Sequence, residues 1–308
     1  FPDAEQITWA ELRKWKQSFD RGREPDVAYR IYRHTKPIAA DTLRSAELID
    51  EVPQLSALDE RMIRSEWKGE RLKNIRDDDA PVPRVLVEPK TELPLGVGVF
   101  VRTTRTAGRY YYAVTSAVNG VENTRRFTVA NSLSEPLTET VAPPEPILHH
   151  ELPHRYDKGI VKGDDGEDKR VPRPHRFYML WTDPPLSNVP GYYHLSVTSP
   201  PGQTDGPVPL YLQTWWWDFG WSQAGARKSP AGGVSLSTES PWNLYKGIHE
   251  GSGTYKAFSQ GIVQGYWLRR FKALLPWLKS EYGIDTNRMY AMSADWAWHH
   301  PELFAAVH

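Results

Sequence analysis

The sequence predicts an N-terminal β-sandwich followed by part of an α/β domain built on a doubly wound, mostly parallel sheet. Three observations predict it. Up to about Leu148 apolar residues alternate with polar ones, as in "DVAYRIYRHT" (26–35) and "RYYYAVTSAVNGVE" (109–122), the period of half-buried strands. After residue 205 the order becomes strand, helix, strand, the helix marked by apolar residues at a 3.6-residue spacing. Between the two lies "VAPPEPILHHELPH" (141–154), Pro-rich and extended in the manner of a linker. The expected domains are therefore 1–148 and 149–308.

The composition bounds what the chain does. Its 308 residues suffice for two domains, each with a core. Lys plus Arg and Asp plus Glu are equal at 38 each, so no overall field favours nucleic acid or an anionic membrane, and no nucleic-acid partner is expected. No apolar run reaches the ~20 residues of a membrane span. Cysteine is absent, which removes disulfides, thiolate metal sites and a cysteine nucleophile. The chain starts at Phe1 without an initiating Met, as a processed or partial chain does. Aromatic residues are abundant, with 13 Trp, 15 Tyr and 9 Phe, enough to furnish binding surfaces as well as cores.

In the first part, strands are expected at 26–35, 96–104 and 109–122, the last closing on Asn119-Gly120, a dipeptide suited to tight hairpins. "SALDERMIRSEWKGERLKNIRDDD" (56–79) is charged and helix-prone, and reads as a solvated insertion within 56–95. His150-Glu151-Leu152-Pro153-His154 spells the H-E-x-x-H string of zinc proteases. That site needs a helix to present both imidazoles, and Pro153 breaks one, so these are linker histidines. "GDDGED" (163–168) has the composition of a calcium loop without its ligand spacing or closing Glu, so no metal site is expected.

In the second part, strands are expected at 176–181, 191–200 and 208–215, the third apolar on both faces like a strand inside a covered sheet. A helix from Tyr255 to about Lys279 should bury Phe258, Ile262, Tyr266, Leu274 and Leu278. Lys256, Arg269, Lys272 and Lys279 should stay in water. Ser252 or Thr254 would cap its start and Gly283 its end, with Pro276 interrupting its hydrogen bonds. The strand "RMYAM" (288–292) follows.

Two blocks here, "YGIDTNRMYAM" (282–292) and "HHPELFAAV" (299–307), resemble the elbow region of α/β-hydrolase-fold esterases of the polyhydroxybutyrate depolymerase and feruloyl esterase type, over roughly residues 175–308. The pieces "YRIYRH", "AELIDEVPQLSALD" and "GRYYYAVTSAVNGVEN" resemble a fibronectin type III domain over about the first 148 residues, with the insertion as a departure. The hydrolase resemblance implies a secreted bacterial, extracellular or periplasmic serine-type carboxylic-ester hydrolase. Its substrate would be a polysaccharide-linked or polymeric ester, and it would need no cofactor.

In that family the nucleophilic serine sits between glycines on a strained turn after the strand. Here Ser293-Ala294-Asp295 stands in that place. Ser293 is the candidate nucleophile, yet aligned on Tyr290 it falls where the family has the glycine before the nucleophile, and it also reads as the first small residue of a turn. Only 11 residues separate Met292 from Phe304, fewer than a parallel crossover takes, so residues are expected to be missing there. The Asp and His partners of the serine would lie beyond His308 in the family's chain order.

By the same resemblance the loop giving an N–H to the oxyanion falls at Thr214, Trp215 and Trp216. Trp242 and Tyr245 would line a cleft for a sugar ring or aromatic acyl group, or else pack as core and lid. His249 and Glu250 would touch substrate or form a polar loop. Gly220-Trp221-Ser222-Gln223-Ala224 has elbow-like spacing but no helix after it, so Ser222 reads as a loop residue. His299 and His300 would complement the negative end of a helix. A second reading is a non-catalytic carbohydrate or cell-surface binding protein on a degenerate hydrolase fold.

Overall fold

The structure, a computed structural model, describes residues 11, 14, 25–54, 56, 85–94, 97–163, 165–202, 206–214, 232–238, 247–252, 257–291 and 300–307. It is mostly β-sheet, in several sheets, and falls into two compact units that divide between Ala142 and Pro143, with residues 86–91 joining the second.

The first unit is built on β1 (Val27–His34), β2 (Glu47–Pro53), β5 (Gly108–Val118), β6 (Val121–Glu122) and β7 (Leu137–Glu139). Their order is β2-β1-β5-β6, with β7 also on β5, all antiparallel. Asn119 and Gly120 both take positive φ, 48° and 79°, and return β5 into β6, as a two-residue hairpin turn of this dipeptide requires. Period-two alternation puts Tyr32 of β1 and Ala113 of β5 on one face, where they join Ile38 and Leu43 in a small core. Residues 97–105 enter no ladder, which corrects the expected strand at 96–104. Val99 N–H instead donates to Ser56 Oγ at 3.0 Å. Short strands β3 (Leu86–Glu88) and β4 (Thr91–Glu92) pair with each other.

Two partly buried carboxylates tie the first unit's strands together. Glu122 accepts from Tyr32 Oη and Arg30 Nη1, both at 2.7 Å, and from Thr115 Oγ1. Glu139 accepts from Arg33 at 2.8 and 2.9 Å and from Tyr112 Oη. Burial alone would raise both carboxyls. The hydrogen bonds outweigh it and hold both below their usual value. A carboxyl shifted this way stabilises the fold above its unfolded pKa of about 4.3, and that contribution is lost as pH falls through the folded value. The first unit should therefore hold its urea midpoint from pH 7 to 5 and lose it below about pH 4. Glu139→Gln should flatten this acid slope, and an unchanged slope would refute the assignment.

The second unit contains β8 (Ile147–Lys162), β9 (Asp168–Thr182), β10 (Gly191–Thr198), β11 (Val208–Thr214), β12 (Val234–Thr238), β13 (Ile248–His249), β14 (Val263–Gln264), helix α1 (Tyr266–Tyr282), β15 (Ile284–Ala291) and β16 (Ala306–Val307). Its main sheet runs β16-β15-β11-β12-β10-β9-β8. The pairs from β12 to β16 are parallel and those from β8 to β12 antiparallel, so the sheet is mixed and not mostly parallel. The physical reason is connection length. The short links at 163–167 and 183–190 reverse the chain directly, whereas a parallel return needs a dozen or more residues.

Residues 147–154, expected as linker, belong to β8. This edge strand tolerates Pro153 because a ladder bond on its outer side is not required. At the ribbon's tip two acidic residues of "GDDGED" are spent locally, Asp165 on Lys169 at 3.1 Å and Asp168 on Lys162 at 2.6 Å.

Helix α1 begins eleven residues later than expected. Val263 and Gln264 are held extended by pairing with His249 and Ile248, and Gly265 follows as N-cap, so no helix forms upstream. Phe258 and Ile262, expected in the core, are 77% and 64% exposed. From Tyr266 the helical spacing holds. Tyr266, Leu274 and Leu278 are buried, together with Phe271, Trp267 and Leu268, while Lys272 and Lys279 are exposed. The helix packs on the sheet face made of Tyr178, Leu180, Leu195, Val197, Leu210, Leu212, Leu236 and Met289. Each such side chain contributes about 1.5–3 kcal/mol through burial. Pro276 lies inside the helix, where it cannot donate to Lys272 O. Gly283 ends it at φ 60°, ψ 35°, its N–H donating to Lys279 O at 3.0 Å, a left-handed cap that glycine accepts without steric cost.

Candidate active site

The order of the parallel strands picks out one place. From β11 the chain goes to β12 on one side, and from β15 it goes to β16 on the other. Neighbouring strands whose connections leave in opposite directions form a switch point, and in open α/β sheets ligands bind in the crevice outside their carboxyl ends. Here those ends are Thr214 and Ala291, on strands joined in register at Leu212↔Ala291 and Tyr211↔Tyr290. Thr214 opens the stretch assigned from sequence to the oxyanion loop, and Ser293 comes two residues after Ala291. Topology thus brings the two strand ends together.

The "YGID" block braces this arrangement from below. Asp285 Oδ1 accepts from Asn287 N–H at 2.9 Å and Oδ2 from Arg288 Nε at 2.8 Å. Those two hydrogen bonds, the one from Arg288 first, hold the Asp285 carboxyl below the usual carboxylate range. Arg288 also donates to Pro207 O at the start of β11, beside the Val208 N–H to Gly283 O bond of 3.0 Å. Tyr282 shares a hydrogen bond with Tyr178 Oη, and burial, reinforced by that neighbour, pushes its phenol well up. The residues that carry the sequence resemblance therefore also lock β15 beside β11.

On the face away from α1, Tyr211 stacks on Tyr290 with ring centres 5.1 Å apart and an 18° interplanar angle, and burial raises the Tyr211 phenol. Gln213, Ser235, Ser237, Ser196 and Thr198 share this face, all buried. Sequence reasoning missed this polar row. The signal was present in the alternation of Ser235 and Ser237 with Val234 and Leu236.

Of the other residues proposed from sequence, Ser293, Trp215, Trp216, Trp242, Tyr245, Ser222 and His299 lie outside the described residues, as does the side chain of Thr214. His249 is buried in β13, its ring stacked on Phe258 at 4.0 Å and its Nδ1 accepting from Gly251 N–H at 3.0 Å, which leaves the proton on Nε2. Glu250 accepts from Gln264 Nε2 at 2.7 Å and Ile262 N–H at 3.4 Å, holding the β13–β14 pair closed. His300 precedes a 3₁₀ turn at Pro301–Leu303, its Nδ1 2.7 Å from Glu302 Oε1. At the same carboxyl edge, Arg270 is buried over the Tyr193 ring, 3.7 Å from its centre, and donates to Leu186 O at 2.9 Å. Among the described residues no three His, Asp or Glu side chains gather as a metal site, and no helix is long and apolar enough to cross a membrane.

No family model and no curated protein matches the sequence. Among solved structures, a thermostable esterase is similar with 13% identity and a TM-score of 0.24, over 91% of this chain and 66% of that one. The chain thus spans just under two thirds of that esterase, and a likeness so loose fixes neither fold nor activity.

Proposed function

We propose that the second unit is the leading part of an α/β-hydrolase-type sheet and that the protein is a serine-type carboxylic-ester hydrolase acting on a polysaccharide-linked or polymeric ester. One observation carries this reading. The switch point between β11 and β15 falls at the two strand ends whose following residues resemble an oxyanion loop and a nucleophile elbow. In the reaction, Ser293 Oγ attacks the ester carbonyl while a histidine base takes its proton. N–H groups at residues 214–216 stabilise the oxyanion, the alcohol leaves, and water then releases the acid. The base and its carboxylate partner follow the nucleophile in the family's chain order. Trp242 and Tyr245 are the substrate contacts in this proposal, His249 and Glu250 being engaged within the β13–β14 pair, and the first unit is a fibronectin type III-like β-sandwich with no part in the chemistry.

The test is hydrolysis of p-nitrophenyl esters by the longest natural form of the protein, with and without a fluorophosphonate. Turnover abolished by the phosphonate, with the label found on Ser293, is the expected result. Label on another serine would reassign the nucleophile. No turnover, together with tight glycan binding, would replace the hydrolase by a binding protein.

A further inference from the structure

Gln213 and Ser237 stand opposite each other on adjacent parallel strands, one residue below the carboxyl ends of β11 and β12 and on the face turned away from α1. They are 1% and 2% exposed. Gln213 Nε2 donates to Ser235 Oγ at 3.2 Å. That bond fixes the amide plane and turns the carbonyl end away from Ser235. Gln213 Oε1 and Ser237 Oγ each have no hydrogen-bond partner among the described residues. Buried polar atoms left unsatisfied are rare and costly, and two of them as cross-strand neighbours call for a shared explanation.

Gln213 and Ser237 are Cα partners on one face of neighbouring strands, which lie about 4.8 Å apart, so one water can reach both side chains. We propose that Gln213 Oε1 and Ser237 Oγ hold one ordered water beneath the crevice. The water donates one O–H to Gln213 Oε1 and meets Ser237 Oγ with either a second donation or a lone pair. Ser196, opposite Ser237 on β10 and 1% exposed, is the next hydroxyl in the row, in keeping with the two to four partners that buried waters collect. The water links the last described side chain of β11 to β12 at the strand end where the switch point opens. Nothing in this depends on the chemistry performed above it.

Ser237→Ala decides the matter by the sign of its effect. Where the hydroxyl binds a water, its removal should raise the unfolding equilibrium constant about tenfold. Where it is an unsatisfied group, removal should leave the constant unchanged or lower it. A crystal structure of the wild-type protein at about 1.5 Å should show a density peak within about 3.2 Å of both atoms, and the Ser237→Ala map should lose it. A wild-type map without that peak, or a variant at least as stable as the wild type, overturns the proposal.

Discussion

Replacing Phe271 by alanine is expected to destabilise the second unit by about 3–5 kcal/mol. Phe271 has no exposed surface and sits at the centre of the core between α1 and the sheet, its ring parallel to that of Phe304 at 6.2 Å. The strands under the helix, β11 and β12, are pinned in register by their ladder and cannot move in to fill the cavity left behind. The loss should therefore sit at the upper end of the range for large-to-small changes. It is read as a fall in the urea midpoint of the second unit at unchanged slope. A loss below about 1 kcal/mol would mean that α1 does not pack on this face.

Gly233→Ala is expected to cost about 1–3 kcal/mol, for the opposite reason. The new Cβ would lie 2.3 Å from Tyr211 Cε2 and 3.0 Å from Pro209 O. Tyr211 cannot swing aside freely, because it is stacked on Tyr290. The clash also moves the Gly233 carbonyl, which accepts from buried Arg173. Tyr211→Leu should relieve much of the strain, so the double variant should be less destabilised than the two single losses added together. Strict additivity in that cycle would place the cost of Gly233→Ala somewhere other than the tyrosine.

What could be read from the sequence follows the range of the interactions involved. The β5–β6 hairpin was legible because Asn119-Gly120 specifies its turn within two residues, and the end of α1 because Gly283 is the cap itself. The start of α1 was not. Phe258 and Ile262 have helical spacing, but Val263 is claimed by His249 from beyond a turn, a pairing no local window contains. Strand β8 was hidden by Pro153, which an edge position tolerates. Around the candidate site, the residues after β11 and β15 could be named from a resemblance. That they meet could not, since it depends on β12 inserting between β10 and β11, an order set by packing of whole strands.

That same strand order has a consequence for synthesis. β11 leaves the ribosome with both edges unpaired. β12 begins 20 residues after Thr214 and covers one edge, but β15, which covers the other, begins only at Ile284, 70 residues after it. At roughly 5–20 residues per second, the central strand waits about 4–14 s with an open row of N–H and C=O groups. During that interval the apolar face of Leu210 and Leu212 has no helix over it, since α1 lies in the same delayed stretch. The nascent chain is most exposed to wrong pairing while residues 215–283 are being made, and slow translation there, or a shortage of chaperones that bind extended apolar segments, should lower the yield of soluble protein more than the same stress applied after residue 291.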